Sequence, residues 1–339
     1  MKQLFLLLSV LLPFAVDAQD FVTKWTFDAA ATSITFNAQT AGTVNYTWSA
    51  SPSGKRGNGS FTQKVPGSVT LSGLSIAAGD KVTLTMEPAN LRVFNIDNGP
   101  DKDRLTDVSS WGVVPWTSMV AAFCGSANLN ITATDVPNLS GVTDMSRMFQ
   151  GCLSLNGPAN INSWDVSKVT NMGDMFNTAR VFNQNIGGWK VDKVKSMRGM
   201  FYNADAFNQD ISSWKVDKAT SMSEMFRNAK KFNQNLSSWN VSKVKTTKNM
   251  FNGAKSFDQN LGAWNLAALT TAERMFRNSG LSSENYSRIL KGWAENTHTP
   301  DGVNFEGQTG RAYMTAVASF RNKLIAKNWR INDDSEAAP

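Results

Sequence analysis

INSWDVSKVTNMGDMF (161–176), IGGWKVDKVKSMRGMF (186–201), ISSWKVDKATSMSEMF (211–226), LSSWNVSKVKTTKNMF (236–251) and LGAWNLAALTTAERMF (261–276) are one phrase written five times at a step of 25 residues. Self-similarity at such a period means stacked units, none of which buries its apolar face alone. With small drifts the register extends upstream. A tryptophan column reads Trp111, Pro137, Trp164, Trp189, Trp214, Trp239, Trp264. Two places on stand Val113, Leu139, Val166, Val191, Val216, Val241 and Leu266. A phenylalanine column runs Phe123, Phe149, Phe176, Phe201, Phe226, Phe251, Phe276. Seven units of 25–27 residues therefore share one plan.

Within a unit, Trp164 and Val166 alternate with Asp165 and Ser167, which is the period of a half-buried strand. Val169, Met172, Met175 and Phe176 then fall on one face of a helical turn, which Thr170 caps. Ala179 keeps a slot that is small in most units, and FNQN turns the chain back. Stacking makes the Trp and Phe columns a continuous core, and each such side chain contributes roughly 1.5–3 kcal/mol on burial.

The W-x-V-x-x-V-x-x-M-x-x-M-F-x-x-A…F-N-Q-x-I pattern resembles the BspA-like leucine-rich repeat surface proteins, whose repeat also occurs in mycoplasma lipoproteins. The likeness spans 103–281. It implies a secreted or cell-surface protein, often linked to adhesion, and supplies no catalytic residues. The expected fold is an α+β repeat protein. A β-sandwich at 20–100 precedes a leucine-rich-repeat solenoid of about seven units at 103–281, and a helical cap closes it at 282–335.

Outside the repeats the texture changes. Residues 1–18 read as a signal peptide, with Lys2, an apolar run over 4–14 and a small-x-small site that places cleavage after Ala18. No Cys stands near that site, so a lipid anchor is not expected, and no later run is long enough to span a membrane. Residues 20–100 hold short alternating runs, with Val44, Tyr46 and Trp48 expected inward, parted by Pro, Gly and Ser clusters. The resemblance also implies a PKD-like or Ig-like sandwich here. Asp97, Asp101, Asp103 and Asp107 miss the EF-hand spacing, so 96–107 reads as a turn at a domain boundary. After the repeats, Tyr286, Ile289, Leu290 and Trp293, then Tyr313, Val317, Phe320 and Leu324, fall at helical spacing.

Sites for chemistry are sparse, and no enzyme, cofactor or metal is expected. The one histidine, His298, lies in a loop without a recognisable nucleophile. Glu224, Glu273 and Glu284 are scattered, where a glycosidase needs a spaced carboxylate pair. The M-x-x-M pairs, such as Met172/Met175, share their columns with Thr247 and Ala272 and read as core. Cys124 and Cys152 are a candidate disulfide in an exported chain, but their repeat phases differ. Asn183, Asn208, Asn233 and Asp258 form a ladder in which a stacked amide satisfies turn backbone above and below it.

The candidate ligand face is the outer face of the expected strand sheet: Lys168, Lys190, Lys193, Lys215, Lys218 and Lys243, with Asp165, Asp192 and Asp217 among them. At a strand spacing of about 4.7–4.9 Å, four lysines in one column would line up over roughly 15 Å. The net charge of +7 agrees with an acidic partner. The expected function is that of an adhesin-like interaction protein binding a protein or polysaccharide partner, with nucleic acid disfavoured by export. A structural stalk whose lysines only solubilise it is the alternative; a carbohydrate-processing enzyme is the remote one.

Overall fold

The computed structural model describes residues 19–332 and 334–337. The expected signal peptide at 1–18, with cleavage expected after Ala18, lies outside the described residues.

Nine strands come first: β1 (Phe21–Thr26), β2 (Ala31–Thr40), β3 (Val44–Ser51), β4 (Arg56–Phe61), β5 (Gly67–Ile76), β6 (Lys81–Met86), β7 (Leu91–Asn95), β8 (Leu105–Ser110) and β9 (Asn130–Ile131). They build a six-stranded sheet, β4-β3-β6-β1-β8-β9, and a three-stranded sheet, β5-β2-β7. Period-two alternation gives each strand one apolar face. In β3 that face is Val44, Tyr46, Trp48 and Ala50, all buried. The sheets meet through aromatic edges, with Phe21 on Phe94 at 5.2 Å and Phe36 on Phe61 at 5.8 Å. The six-stranded sheet runs past residue 100, since β8 pairs antiparallel with β1 and β9 adds to it in parallel.

The acidic stretch before β8 is spent within the protein. Asp101 accepts from the Thr35 amide at 2.6 Å and pairs with Arg104. Asp107 pairs with Lys24 and accepts from Thr132. No metal-binding cluster of His, Cys, Asp or Glu occurs among the described residues.

From Thr132 to Ser282 the leucine-rich-repeat solenoid is overturned. Apart from one 3-10 turn (Ile161–Ser163) this stretch has neither helix nor extended strand. The Trp-x-Val segment is not a strand. The parallel bridges are single residues further on: Asp144, Asn171, Ser196, Ser221, Thr246 and Thr271 in series. Nor is Val169 to Phe176 a helical turn, because φ is +57° at Asp174 within it. The equivalent places, Arg147, Gly199, Glu224, Asn249 and Arg274, are left-handed too. A second left-handed column follows at Thr178, Asn203, Asn228, Gly253 and Asn278.

Two left-handed places per unit set the hydrogen bonding. Amides 172, 174, 176 and 178 donate forward to carbonyls 196, 198, 200 and 202. Amides 175, 177 and 179 close turns inside their own unit. The backbone is thus satisfied alternately by the neighbour and by itself, and the units stack as turns.

Side chains complete the stack. Phe176, Phe201, Phe226, Phe251 and Phe276 are fully buried, with successive rings 5.5–6.0 Å apart. A second column that the sequence reading left out of the core, Phe182, Phe207, Phe232 and Phe257, lies 3.8–3.9 Å from the first. Trp164, Trp189, Trp214, Trp239 and Trp264 are buried beside them. Each indole from Trp189 onward donates to the preceding unit, as Trp214 Nε1 does to the Ile186 carbonyl at 3.1 Å. At the amino end Val113 is 55% exposed, and Val114 takes the buried place instead.

Both ends of the stack are covered. Ile96 and Asn98, just past β7, donate to the carbonyls of Ala122 and Cys124, so the sandwich serves as the preceding layer. At the other end α1 (Ser283–Glu295) buries Tyr286, Ile289, Leu290 and Trp293, and Trp293 continues the indole series by donating to the Leu261 carbonyl. Asn304 and Arg330 prolong the bridge column. The second expected helix is shorter, because β10 (Arg311–Tyr313) and a 3-10 turn (Thr315–Val317) come before α2 (Ala318–Ala326). Of its four apolar places only Leu324 is buried. β11 (Asp334–Glu336) returns to pair with β10, fixed by a 2.6 Å ion pair between Arg321 and buried Asp334.

Candidate interaction face

All six predicted lysines are exposed. Lys168, Lys193, Lys218 and Lys243 stand three places before the bridge column, and Lys190 and Lys215 stand beside the buried indoles. Lys195 and Lys245, absent from the sequence reading, belong with them. They are exposed and separated from Lys193 and Lys243 only by buried Val194 and Val244. Their signal was the K-V-K triplet at 193–195 and 243–245, whose alternation sends both lysines outward. Among the described residues none of these eight forms a direct ion pair.

The side that follows the bridge column differs. There Arg198 meets Asp174 and Glu224, Arg227 meets Glu224, Lys230 meets Asp205, and Lys248 and Arg274 meet Glu273. Among the described residues, ion pairs thus gather after the bridge column, although Arg180, Lys231 and Lys255 there stay exposed and unpaired, and none forms on the lysines before it.

Two of the lysines also stand where the turn favours another residue. After the Trp, Asp165, Asn240 and Asn265 accept hydrogen bonds from the amides of Ser167, Ser242 and Ala267. Lysine has no acceptor, so Lys190 and Lys215 forgo this turn bond. Bonds from Ser167, then the charges of Lys190 and Lys168, hold the Asp165 carboxyl below the usual carboxylate range. An open groove of about 560 Å³ runs between these units, lined by Gly187, Gly188, Trp189, Lys190, Val191, Asp192, Ser213 and Lys215. A comparable groove on the sandwich, lined by Asn45, Thr47, Asn58, Thr85 and Glu87 among others, has no cation in its wall.

The other candidates resolve into structure. Asn183, Asn208 and Asn233 each accept through Oδ1 from the amide 25 residues on, at 2.9 Å, and also from the side chains of Gln209, Gln234 and Gln259. Asp258 closes the series against Ser282 and Asn285, where α1 begins. Cys124 and Cys152 are buried and unbridged. Cys152 donates to the Phe123 carbonyl, and Cys124 contacts Asn98 and Arg147. Burial pushes the Cys152 thiol well up. The out-of-phase places point the two thiols to different partners, so the candidate disulfide is absent. His298 is exposed, Glu224, Glu273 and Glu284 are held in ion pairs, and Met172 and Met175 are fully buried.

A stack of 25-residue turns with exposed lysines in register defines a repeat protein. The family described as "Mycoplasma protein of unknown function, DUF285" matches residues 117–221 and, overlapping, 189–293. Together these cover more than half of the chain, which belongs to that family. No curated protein and no solved structure matches it. Among the described residues no helix is long and apolar enough to cross a membrane.

Proposed function

We propose that this chain is an exported, non-enzymatic interaction protein, akin to the BspA-like surface proteins, that holds an anionic macromolecule on its lysine side. The observation that carries the reading is that, among the described residues, none of the eight lysines forms an ion pair, while Arg198, Arg227, Lys230, Lys248 and Arg274 beyond the bridge column do. Self-repulsion among like charges is relieved when a polyanion binds, which gives the protein a stake in such a partner. The signal-peptide reading of 1–18 places that partner outside the cell, and the sandwich then spaces the stack from whatever holds it.

Retention on immobilised dextran sulfate across a salt gradient tests this, with uncharged dextran as control. The quadruple variant Lys190→Glu, Lys193→Glu, Lys215→Glu, Lys218→Glu runs beside the parent. Retention that falls with salt and vanishes in the variant, while circular dichroism is unchanged, supports the reading. Equal retention of both proteins removes the lysine side as a ligand face and leaves it as solvated surface on a structural stalk.

A further inference from the structure

The groove at 187–192 breaks the regularity of the lysine side. The two places before each Trp are Asn162-Ser163, Gly187-Gly188, Ser212-Ser213, Ser237-Ser238 and Gly262-Ala263. Only at 187–188 do both lack a side chain, and there the notch opens between Lys190 and Lys215. Gly187 has no room to vary, since a Cβ would stand 2.6 Å from the Asp210 carbonyl. Gly188 is different. Its Cβ would meet only the Asn162 side chain, at 3.0 Å, and its amide already donates to Asn162 Oδ1. The opposite wall carries Ser213, whose hydroxyl donates to the Gly187 carbonyl at 2.9 Å and so leaves oxygen lone pairs free to accept. Asp192 adds a carboxylate.

Building on the anionic-partner reading, we propose that this notch is a subsite for one acidic sugar residue of a polysaccharide. Lys190 and Lys215 take the carboxylate or sulfate ester, and Asp192 and Ser213 accept from the sugar hydroxyls. The mixed lining selects the class. A polyanion without hydroxyl donors gains from the two lysines but is opposed by Asp192, whereas an acidic sugar supplies both an anion and donors. Nucleic acid is disfavoured a second way. The indoles from Trp164 to Trp264 are at most 3% exposed, so no aromatic platform is offered to bases. The floor of the notch is Trp189, whose fluorescence reports occupancy.

The experiment titrates the full mature chain with an oligogalacturonate, with a sulfated oligosaccharide of equal charge and with single-stranded DNA of equal charge. Binding is read by tryptophan fluorescence and calorimetry. Gly188→Gln adds a bulky side chain at the wall of the notch and keeps every charge. Gly188→Ser, the residue found in three sister units, controls for folding. The expected result is a Kd for the preferred oligosaccharide at least tenfold weaker in Gly188→Gln, near the parent value in Gly188→Ser, with DNA binding weak and equal in all three. The two oligosaccharides tell a carboxylate from a sulfate ester. Unchanged oligosaccharide affinity in Gly188→Gln overturns the subsite, as does DNA binding as tight as the oligosaccharide. If the quadruple lysine variant still loses retention, the cationic side stands without the notch. If that variant is also silent, both readings fall.

Discussion

In β3 of the sandwich, Tyr46 and Trp48 reach the core because the strand alternates, and the backbone beside them is satisfied by six-residue ladders on either flank. In the stack, Trp214 reaches an equally buried place from a turn, and its own indole supplies a hydrogen bond to the neighbouring unit. The sandwich separates the labour, with backbone holding strands together and side chains filling the middle. The stack merges it, so Trp, Asn and Gln side chains carry bonds that strands elsewhere obtain from peptide groups. Such a design depends on repetition. Each bond requires a neighbouring unit in register to offer its backbone, as the Ile186 carbonyl and the Asn233 amide do, and sandwich and stack meet in one continuous hydrophobic core.

The comparison breaks hardest where the column is interrupted. Phe226 is fully buried and stacks on Phe201, Phe251 and Phe232. Phe226→Ala should cost about 3–5 kcal/mol, as for other buried aromatics. Phe36→Ala in the sandwich should cost a similar amount. The shapes of the transitions should differ. Nearest-neighbour coupling predicts that Phe226→Ala splits urea unfolding into two phases or lowers its slope, while Phe36→Ala shifts the midpoint at constant slope. Matching slopes in the two variants would mean that the stack is no more modular than the sandwich.

Smaller, but sharper in location, is the end of the series. Phe276 has no following unit, and buried Gln308 accepts its amide hydrogen bond at 3.0 Å while donating to the Ala272 carbonyl. A side-chain amide stands in for the missing peptide group. Gln308→Leu keeps roughly the same volume and orphans the Phe276 amide, at about 1–3 kcal/mol, while the Ala272 carbonyl still accepts from the Met275 amide. Hydrogen exchange should lose protection at Phe276 first. Loss spread evenly over the stack would show that the end is not separately closed.

The same contrast explains what could be read from the sequence. The period, the Phe and Trp columns and the amide ladder were legible, because identical residues recurring at one interval leave little choice about what touches what. The local backbone was not. The left-handed place in mid-unit holds Arg147, Asp174, Gly199, Glu224, Asn249 and Arg274 in turn. That mixture hides a conformation normally flagged by Gly or Asn. Val169, Met172, Met175 and Phe176 then match a helical face although their inward direction comes from turns. The exposure of the lysines is legible, but they point outward from turns rather than from a strand sheet, and a strand ending before the bridge column leaves Lys195 and Lys245 out of the face.

Within the amide ladder, Asn208 Oδ1 receives the Asn233 amide and the Gln234 side chain. Asn208→Ala should cost about 1–2 kcal/mol, since two modest, solvent-accessible bonds are lost. Asn37 in the sandwich donates to Asn95 across β2 and β7, but the strands there are also joined by backbone. Asn37→Ala should therefore cost less than half as much. Equal thermal shifts in the two variants would deny that the stack leans on its side-chain amides.

The ladder's last member is Asp258, where its sisters are Asn, and position accounts for the change. Its carboxylate accepts from the Ser282 amide and hydroxyl and from Asn285, at the first turn of α1. A negative charge is favoured at a helix amino end. Burial alone would push its pKa up, yet the bonds from Ser282 and Asn285, with Arg311 nearby, outweigh it and hold the carboxyl below the usual range. A depressed folded-state pKa means that the unfolded chain binds the extra proton first as the pH falls. Its stabilisation is therefore complete above the ordinary Asp value of about 3.9 and disappears below the folded-state value. Asp258→Asn keeps the acceptor oxygen and removes only the charge. Thermal melts should show the variant less stable at pH 7, by about 0.3–1 kcal/mol. The gap should close in acid, below the depressed value. An equal gap at both pH values would mean that Asp258 acts by shape alone and that its charge contributes nothing to the junction between stack and helix.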